Sequence, residues 1–246
     1  MLKNLKLHIN DKTIPFWAQS PDYITSTIER YGCWEPNVTY AFTSLLSRQT
    51  LSFCDVGAHF GYYSVLHKYF QPDSSRLAVE PNPTLIFKTG ALAQNLATQE
   101  ILGAAIGDGL PMDYGISKNG NSGGSGKFVL TASSEIETIP LSSLPSFSLY
   151  KIDVEGGEYE VLNSLCERRT LPLTALYIFL EVSPALNYNG ALEATKLLLD
   201  NGYYVYDLGL EERGAYGIRE PKPLDWGVFK KCRQTNLLGA RNALFS

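Results

Sequence analysis

Short apolar runs alternate with helical segments through the middle of the chain. From residue 51 the pattern predicts strand, helix, strand, helix and strand over residues 51–56, 61–70, 76–80, 84–95 and 100–106. Two later apolar runs, residues 149–154 and 175–180, are typical of strands that are covered on both faces. Because strands that alternate with helices imply right-handed crossovers, the pattern predicts a doubly wound α/β fold around a mostly parallel sheet.

The first part of the chain predicts a hairpin followed by two helices. Its pattern places two strands and two helices at residues 5–9, 13–17, 22–31 and 38–47. Asn10-Asp11-Lys12 supplies the hairpin turn, and Ser20 before Pro21 favours a helix start. We therefore divide the chain into an N-terminal hairpin and helical cover, residues 1–48, and a main domain, residues 49–246.

A tract of Gly, Ser and Asn at residues 119–126 interrupts the alternation. Segments 113–116 and 127–131 flank it, and it predicts the tip of an inserted hairpin because Gly and Asn tolerate positive φ. We expect this tip to become ordered when the acceptor substrate binds. Beyond it, residues 192–201 predict an amphipathic helix and residues 236–240 a last strand.

Composition and charge narrow the class of protein. The 246 residues, 44% hydrophobic and 19% charged, suffice for one large α/β domain. A net charge of −4 without a basic run disfavours nucleic acid as a partner. The four cysteines never form Cys-x-x-Cys, which predicts reduced thiols and no zinc ribbon. No apolar run reaches the roughly 18 residues of a membrane span. We expect a cytoplasmic protein without a membrane partner.

A Gly-rich turn, Asp55-Val-Gly57-Ala-His-Phe-Gly61, follows the first apolar strand and leads into a helix. Ligands of open parallel sheets bind at the carboxyl ends of strands, and glycines let the backbone approach them closely. A dinucleotide site would carry glycine where Asp55 stands, because a carboxylate repels a pyrophosphate. Asp55 suits the ammonium and sulfonium of S-adenosylmethionine instead. We expect it to contact that cofactor and not to support the core.

The next strand also ends in an acid. Glu80 is followed by Pro81, Asn82 and Pro83. In nucleoside-binding α/β folds, a carboxylate at this place accepts hydrogen bonds from both ribose hydroxyls. Acids at two successive strand ends strengthen the prediction of an adenosyl ligand.

A third strand, residues 149–154, directs further charge toward the same edge. Period-two alternation puts Lys151, Asp153 and Glu155 on one face, and the two acids reach the carboxyl end. Glu155 and Glu158 could instead cap the following helix, the interpretation that we prefer for Glu158. Asp153 and Glu155 could also hold a divalent cation, but such a site needs further oxygen ligands, and we predict no metal.

With these three segments in order, the chain resembles the FkbM family of S-adenosylmethionine-dependent methyltransferases. The resemblance covers roughly residues 34–181, with a weaker match at residues 236–241. It implies a class I methyltransferase fold, which is Rossmann-like. It also implies that the methionine end of the cofactor lies near Asp55 and Gly57 and the ribose at Glu80.

The resemblance implies further cofactor contacts. Adenine would lie at the end of the third strand, and an acid before the Gly-rich turn would face the methionine moiety. The additional residues are Glu35, Ala58, Phe60, Gly61, Pro81, Asn82, Ala104, Ala105 and Asp153. His59 departs from the family, which usually carries Asn there. This places a titratable ring near the methyl donor as a base, as a hydrogen-bond acceptor for the substrate or as part of the turn.

Together, the motifs and the resemblance predict an O-methyltransferase that uses S-adenosylmethionine and acts on a hydroxyl of a sugar, a glycan or a natural product. Such an enzyme must align the acceptor and handle its proton. Asp153 is the first candidate to accept this proton, Glu155 the second and His59 the third. The alternatives are a nicotinamide-dependent oxidoreductase and a catalytically silent module that binds an adenosyl ligand. The oligomeric state stays open.

Overall fold

The computed structural model describes residues 1–87, 90–107, 138–154, 156–209 and 221–244, with the backbone of residues 113–114 and 128–129. The strands are β1 (Leu2–Ile9), β2 (Lys12–Gln19), β3 (Phe53–Val56), β4 (Arg76–Val79), β5 (Ile101–Leu102), β6 (Ala105–Ile106), β7 (Asp113–Tyr114), β8 (Phe128–Val129), β9 (Thr138–Ile139), β10 (Leu149–Ile152), β11 (Tyr177–Val182), β12 (Tyr204–Asp207), β13 (Lys222–Pro223) and β14 (Thr235–Ala240). The helices are α1 (Tyr23–Tyr31), α2 (Pro36–Leu46), α3 (Tyr62–Phe70), α4 (Pro83–Ile86), α5 (Ala91–Asn95), α6 (Glu158–Ser164), α7 (Tyr188–Asp200) and α8 (Trp226–Phe229).

A mixed sheet of eight described strands forms the centre of the fold, in the order β13-β12-β14-β11-β10-β3-β4-β5. Neighbours from β11 to β5 are parallel, whereas β14 runs antiparallel to β11 and β12. The winding reverses between β3 and β10, because the chain proceeds outwards from β3 to β5 and then returns to the other side of β3. The predicted doubly wound, mostly parallel sheet is confirmed, and its reversal is where such sheets bind ligands.

The three central strands, β3, β10 and β11, are buried along their whole length, as their apolar runs predict. On one face, Phe53 and Phe179 pack against Phe42 of α2, with ring centroids 5.0 and 5.7 Å apart. On the other face, Ile152 belongs to a second apolar cluster with Leu162 of α6. Because side chains cover both faces, a ligand reaches the central strands at their carboxyl ends.

The predicted N-terminal hairpin is confirmed. Its turn lies at Asn10 and Asp11, which adopt φ values of 47° and 61°. The backbone of Trp17 in β2 exchanges two hydrogen bonds with the side chain of Asn95 in α5, each 2.8 Å long. The hairpin is therefore attached directly to the main domain.

The two helices of the cover are confirmed with shifted starts. Asp22, and not Ser20, caps α1, because its carboxylate accepts a hydrogen bond from the Ile24 amide at 2.8 Å. Helix α2 begins at Pro36, directly after Glu35, which adopts a φ of 41°. Proline fits this first helical position because an amide there would have no partner within the helix.

The helix predicted over residues 84–95 and the strand over residues 100–106 are each interrupted. Phe87 has extended backbone, with φ −66° and ψ 157°, and ends α4, so that α5 starts anew at Ala91. Strand β5 ends at Leu102, and β6 pairs with β9 outside the central sheet. The apolar spacing of the sequence does not show these breaks, because both short helices bury side chains of the same kind.

The backbone of β7 pairs antiparallel with that of β8, as the predicted inserted hairpin requires. Residues 119–126 at its predicted tip, and also Glu155, lie outside the described residues. Within the part of the chain that the structure describes, no helix has the length and apolar character needed to cross a membrane.

Candidate active site

The carboxyl ends of β3 and β10 border a cleft at the reversal of the sheet. Six of the residues that line it were predicted from the sequence: Asp55, Gly57, Ala58, His59, Phe60 and Asp153. The Gly-rich turn and the third motif therefore meet in space, although about 100 residues separate them.

The turn after β3 is held through its backbone. Gly57 has a φ of 79°, and a Cβ atom there would lie 1.9 Å from the carbonyl oxygen of Asp153. The amides of Gly57 and Ala58 donate to the carbonyl of Val79, at 3.0 and 3.1 Å. Glycine thus allows the ends of β3 and β10 to touch, and Val79 fixes the turn to β4.

We expect Gly57→Ala to destabilise the protein more than left-handed backbone alone explains. Gly202 has a similar φ of 75°, but a Cβ there would meet nothing within 4 Å. Gly202→Ala is therefore the matched control for the backbone cost, about 1 kcal/mol. The clash with Asp153 should add about 1–3 kcal/mol to the loss at Gly57. Urea unfolding measures both; equal losses would show that the strand ends separate without cost.

Asp55 lies at the base of the cleft and is 3% exposed. Its Oδ2 atom accepts hydrogen bonds from the amide and the hydroxyl of Ser64, at 3.1 and 2.7 Å. Burial, the largest cause, raises the pKa of Asp55 to about 6. Asp55 anchors the first turns of α3 in addition to lining the cleft. The expectation that it does not support the core is therefore wrong.

Glu80 connects the turns after β3 and β4. Its Oε2 atom accepts a hydrogen bond from the His59 amide and its Oε1 atom one from the Asn82 amide, both at 2.8 Å. Burial raises the pKa of Glu80 to about 7. The Asn82 side chain caps α4 by accepting from the Thr84 amide at 3.0 Å. The carboxylate, directly before Pro81, is thus held in place with acceptor capacity left on each oxygen.

The chain after β5 lies beside Glu80. The amides of Glu80 and Ala104 both donate to the carbonyl of Leu102, at 3.1 Å. Ala104 and Ala105 are buried. The residues predicted for ribose and adenine therefore share one edge, although Ala105 belongs to β6 and not to the third strand of the parallel sheet.

The end of β10 carries an ion pair. Lys151 Nζ lies 2.9 Å from Asp153 Oδ2, and the two side chains are 1% and 27% exposed. Burial disfavours the ammonium, but the acids around it, led by Asp153, outweigh this effect and hold the pKa of Lys151 above its usual value. Asp153 lines the cleft with a carboxylate that is fixed on one side by Lys151.

Residues 55–205 match the family model of the methyltransferase FkbM domain. The matched stretch starts at Asp55 and includes Glu80 and the pair of Lys151 and Asp153. The chain belongs to the FkbM methyltransferase family. The resemblance drawn from the three motifs is thereby confirmed, as are the class I methyltransferase fold and S-adenosylmethionine as the methyl donor.

Three solved methyltransferase structures are similar to this chain at low identity. Precorrin-6y C5,15-methyltransferase from Geobacter metallireducens is 18% identical, with 82% of this chain and 85% of that chain covered and a TM-score of 0.44. For methyltransferase FkbM from Methylobacillus flagellatus the identity is 13%, the coverage 77% and 43%, and the TM-score 0.42. For a SAM-dependent methyltransferase from Agrobacterium tumefaciens the values are 10%, 98% and 71%, and 0.48. No curated protein matches this chain significantly.

Several residues that line the cleft of this FkbM methyltransferase were not predicted. Ile24 and Trp34 come from the N-terminal cover, Tyr62 and Tyr63 from the start of α3, and Lys151 from β10. Lys151 alternates with Asp153 and Glu155 on the face assigned to the cleft, so this alternation could have predicted its place in the lining. The cover residues carried none, because their place depends on how two helices pack on the main domain.

Two acids near the cleft, Glu35 and Glu158, accept hydrogen bonds from residues around it. Glu35 accepts hydrogen bonds from the Tyr63 hydroxyl at 2.6 Å and the Asn236 side chain at 2.9 Å. It is 8% exposed and stands behind Tyr63, so its contact with the methionine moiety stays a prediction. Glu158 begins α6 and accepts a hydrogen bond from the Gly156 amide at 2.7 Å, whereas the N-cap residue Gly157 has no side-chain hydrogen bond, so the capping role preferred from the sequence stays a prediction.

His59 lies in the Gly-rich turn with a φ of 50°, and its ring centroid is 3.8 Å from that of Phe60. Burial lowers the pKa of His59 to about 4, against the smaller opposing effects of Asp22 and Asp153. The imidazole is therefore neutral at neutral pH. Asp153 stays the first candidate for the acceptor's proton because its carboxylate is partly exposed on the cleft.

The charges of the cleft fit S-adenosylmethionine. Asp55 and Asp153 line it, and Glu80 ends the neighbouring strand, so carboxylates surround the position predicted for a sulfonium and an ammonium. Asp55 would repel the pyrophosphate of a nicotinamide cofactor. This charge and the family assignment argue against the oxidoreductase alternative.

The affinity for S-adenosylmethionine should rise by on the order of 10²–10³-fold from about pH 5 to about pH 7, with about tenfold from Asp55 and about fiftyfold from Glu80. Asp55, with a pKa of about 6, and Glu80, with a pKa of about 7, must lose their protons to bind positive charge and ribose hydroxyls. Calorimetry in buffers of different ionisation enthalpy should therefore show proton release near pH 6. An affinity that does not change with pH would contradict both assignments.

The free energy of unfolding of the ligand-free protein should change with pH in the direction opposite to the affinity and so supplies a control. Because the folded state raises the pKa of Asp55 and Glu80, it favours their protonated forms. Their contribution to the free energy of unfolding is complete below about pH 4 and is lost as the pH rises through about 7. Urea unfolding across this range should show the decline.

Proposed function

We propose that this FkbM methyltransferase methylates a hydroxyl oxygen of a sugar, a glycan or a natural product. The observation that carries the proposal is the position of Asp153. Its carboxylate is partly exposed on the cleft, and its backbone touches the Gly57 turn where the sheet reverses. An alcohol must lose its proton as it becomes a methyl ether, and a carboxylate at this position can accept that proton.

Net charge and cysteine chemistry indicate the class of acceptor and the compartment of the reaction. A net charge of −4 suits a small molecule or a glycan better than a nucleic acid. The four cysteines, all within the described residues, form no disulfide, which favours a reaction in the cytoplasm.

The chain's own residues divide the work between binding and proton transfer. When bound, S-adenosylmethionine supplies an electrophilic methyl group. Asp55 and Gly57 would hold its methionine end, Glu80 would accept hydrogen bonds from its ribose, and Ala104 and Ala105 would contact its adenine. Asp153 would accept the O–H proton of the acceptor as the acceptor becomes a methyl ether.

The test is turnover with methyl-labelled S-adenosylmethionine and separate pools of sugars, hydroxylated natural products and RNA. We expect S-adenosylhomocysteine and a labelled methyl ether from one of the first two pools, identified by mass spectrometry. A label on nitrogen or carbon, or on RNA, would overturn the proposed acceptor. Cofactor binding without product from any pool would favour the catalytically silent module.

A further inference from the structure

Lys151 is a buried ammonium to which the proposed reaction has given no role. Its side chain is 1% exposed, and its position in β10 pairs with Asp55 of β3 on one side and Phe179 of β11 on the other. A buried ammonium is costly unless acids and hydrogen bonds compensate for the lost water. The acids around it show how this charge is used.

Asp153 differs from the other three acids that act on Lys151, which are Asp55, Glu35 and Glu181. Those three are at most 8% exposed, and each has its own hydrogen-bond donor. Asp55 accepts from Ser64, Glu35 from Tyr63 and Asn236, and Glu181 from Gln234. Asp153 accepts its hydrogen bond from Lys151 itself and is 27% exposed on the cleft. Lys151 thus joins a buried group of acids to the acid that a ligand can reach.

We propose that Lys151 is a positioning residue for methyl transfer, which fixes Asp153 through Oδ2 and leaves Oδ1 for the acceptor's proton. The inference rests on the proposed function, in which Asp153 takes that proton. The Tyr63 ring, with its centroid 5.4 Å from Nζ, helps to hold the ammonium, and Glu35 in turn holds the Tyr63 hydroxyl. The arrangement is a chain of contacts that ends at the cleft.

Lys151→Met tests the charge at nearly constant side-chain length. We expect kcat to fall by about 10–100-fold, as for other residues that orient a functional side chain, with little change in the Kd for S-adenosylmethionine. Lys196→Met removes an ammonium from an exposed pair with Glu193 and should leave both quantities unchanged. A Lys151→Met enzyme with normal kcat would overturn the inference.

The pH profile separates positioning from a merely structural role. Without the ammonium, the ionised carboxylate loses a stabilising charge, so the acidic limb of the kcat profile should move to higher pH. The other titratable groups that act on this ion pair are Asp55, Glu35, Glu181, His59, Glu80 and Glu158. Lys151 also acts on Asp55, Glu35 and Glu181, so the same comparison is made in an Asp153→Asn background, where removal of Lys151 should leave the remaining pH dependence unchanged. An acidic limb that lies at the same pH in Lys151→Met and in the wild type would contradict the proposal.

Two further variants keep the inference testable if Lys151→Met folds poorly. Ethylammonium should partly restore kcat to Lys151→Ala and should not stimulate the Lys196→Ala control. In an Asp153→Asn background, Lys151→Met should cause no further loss, whereas two losses that multiply would show that Lys151 acts independently. Full turnover in Asp153→Asn would overturn the proposed function and this inference together. An impaired Asp153→Asn beside a normal Lys151→Met would overturn the inference alone.

Discussion

Asp153→Asn should lower kcat by about 10²–10⁴-fold, the usual contribution of a general base. The amide keeps the shape of the side chain but is not basic enough to take the proton of an alcohol. The Kd for S-adenosylmethionine should change much less, because Asp55 and Glu80 still bind the cofactor. Formation of S-adenosylhomocysteine at saturating cofactor gives kcat, and calorimetry gives the Kd.

A matched control for this variant is Asp200→Asn, an exposed position at the end of α7. Thermal unfolding belongs in the same experiment, because Asp153→Asn removes a charged partner from the buried Lys151. Equal proportional losses in cofactor affinity and in turnover would make Asp153 a binding residue and contradict its role in proton transfer.

Glu80→Ala should weaken the binding of S-adenosylmethionine by about 10²–10⁴-fold. Two ribose hydroxyls would each lose a charge-assisted hydrogen bond worth about 1.5–3 kcal/mol. The variant also deprives the amides of His59 and Asn82 of their acceptor, which loosens the turns on both sides of the cofactor. Calorimetry measures the total loss.

Analogues of the cofactor with 2′-deoxyribose or 3′-deoxyribose separate these two effects. The wild-type enzyme should bind them more weakly than the full cofactor, whereas Glu80→Ala should bind all of them alike. Glu160→Ala, an exposed acid in the first turn of α6, is the control and should discriminate like the wild type. If Glu80→Ala still discriminates as strongly as the wild type, Glu80 does not bind the ribose.

The order of secondary structure and the edge that carries the site could be predicted from the sequence. Asp55, Glu80 and Asp153 each follow an apolar run, and right-handed crossovers place the carboxyl ends of parallel strands on one edge. Apolar runs and their alternation are properties of neighbouring residues, so they can be identified in the sequence. The interruption at Phe87 was not predicted, because an extended residue between two apolar turns leaves their spacing unchanged.

What each side chain does at that edge depends on partners that are distant in sequence. Glu35 binds Asn236 across 201 residues, and its hold on Tyr63 places it behind the cleft wall. Asp55 has a structural role through Ser64, and Lys151 acquires its charged environment only when the cover and β11 enclose β10. Residue type and spacing determine which strand end a group reaches. Its burial, hydrogen bonds and charge state are set by atoms from several elements, which the folded chain alone brings within contact distance.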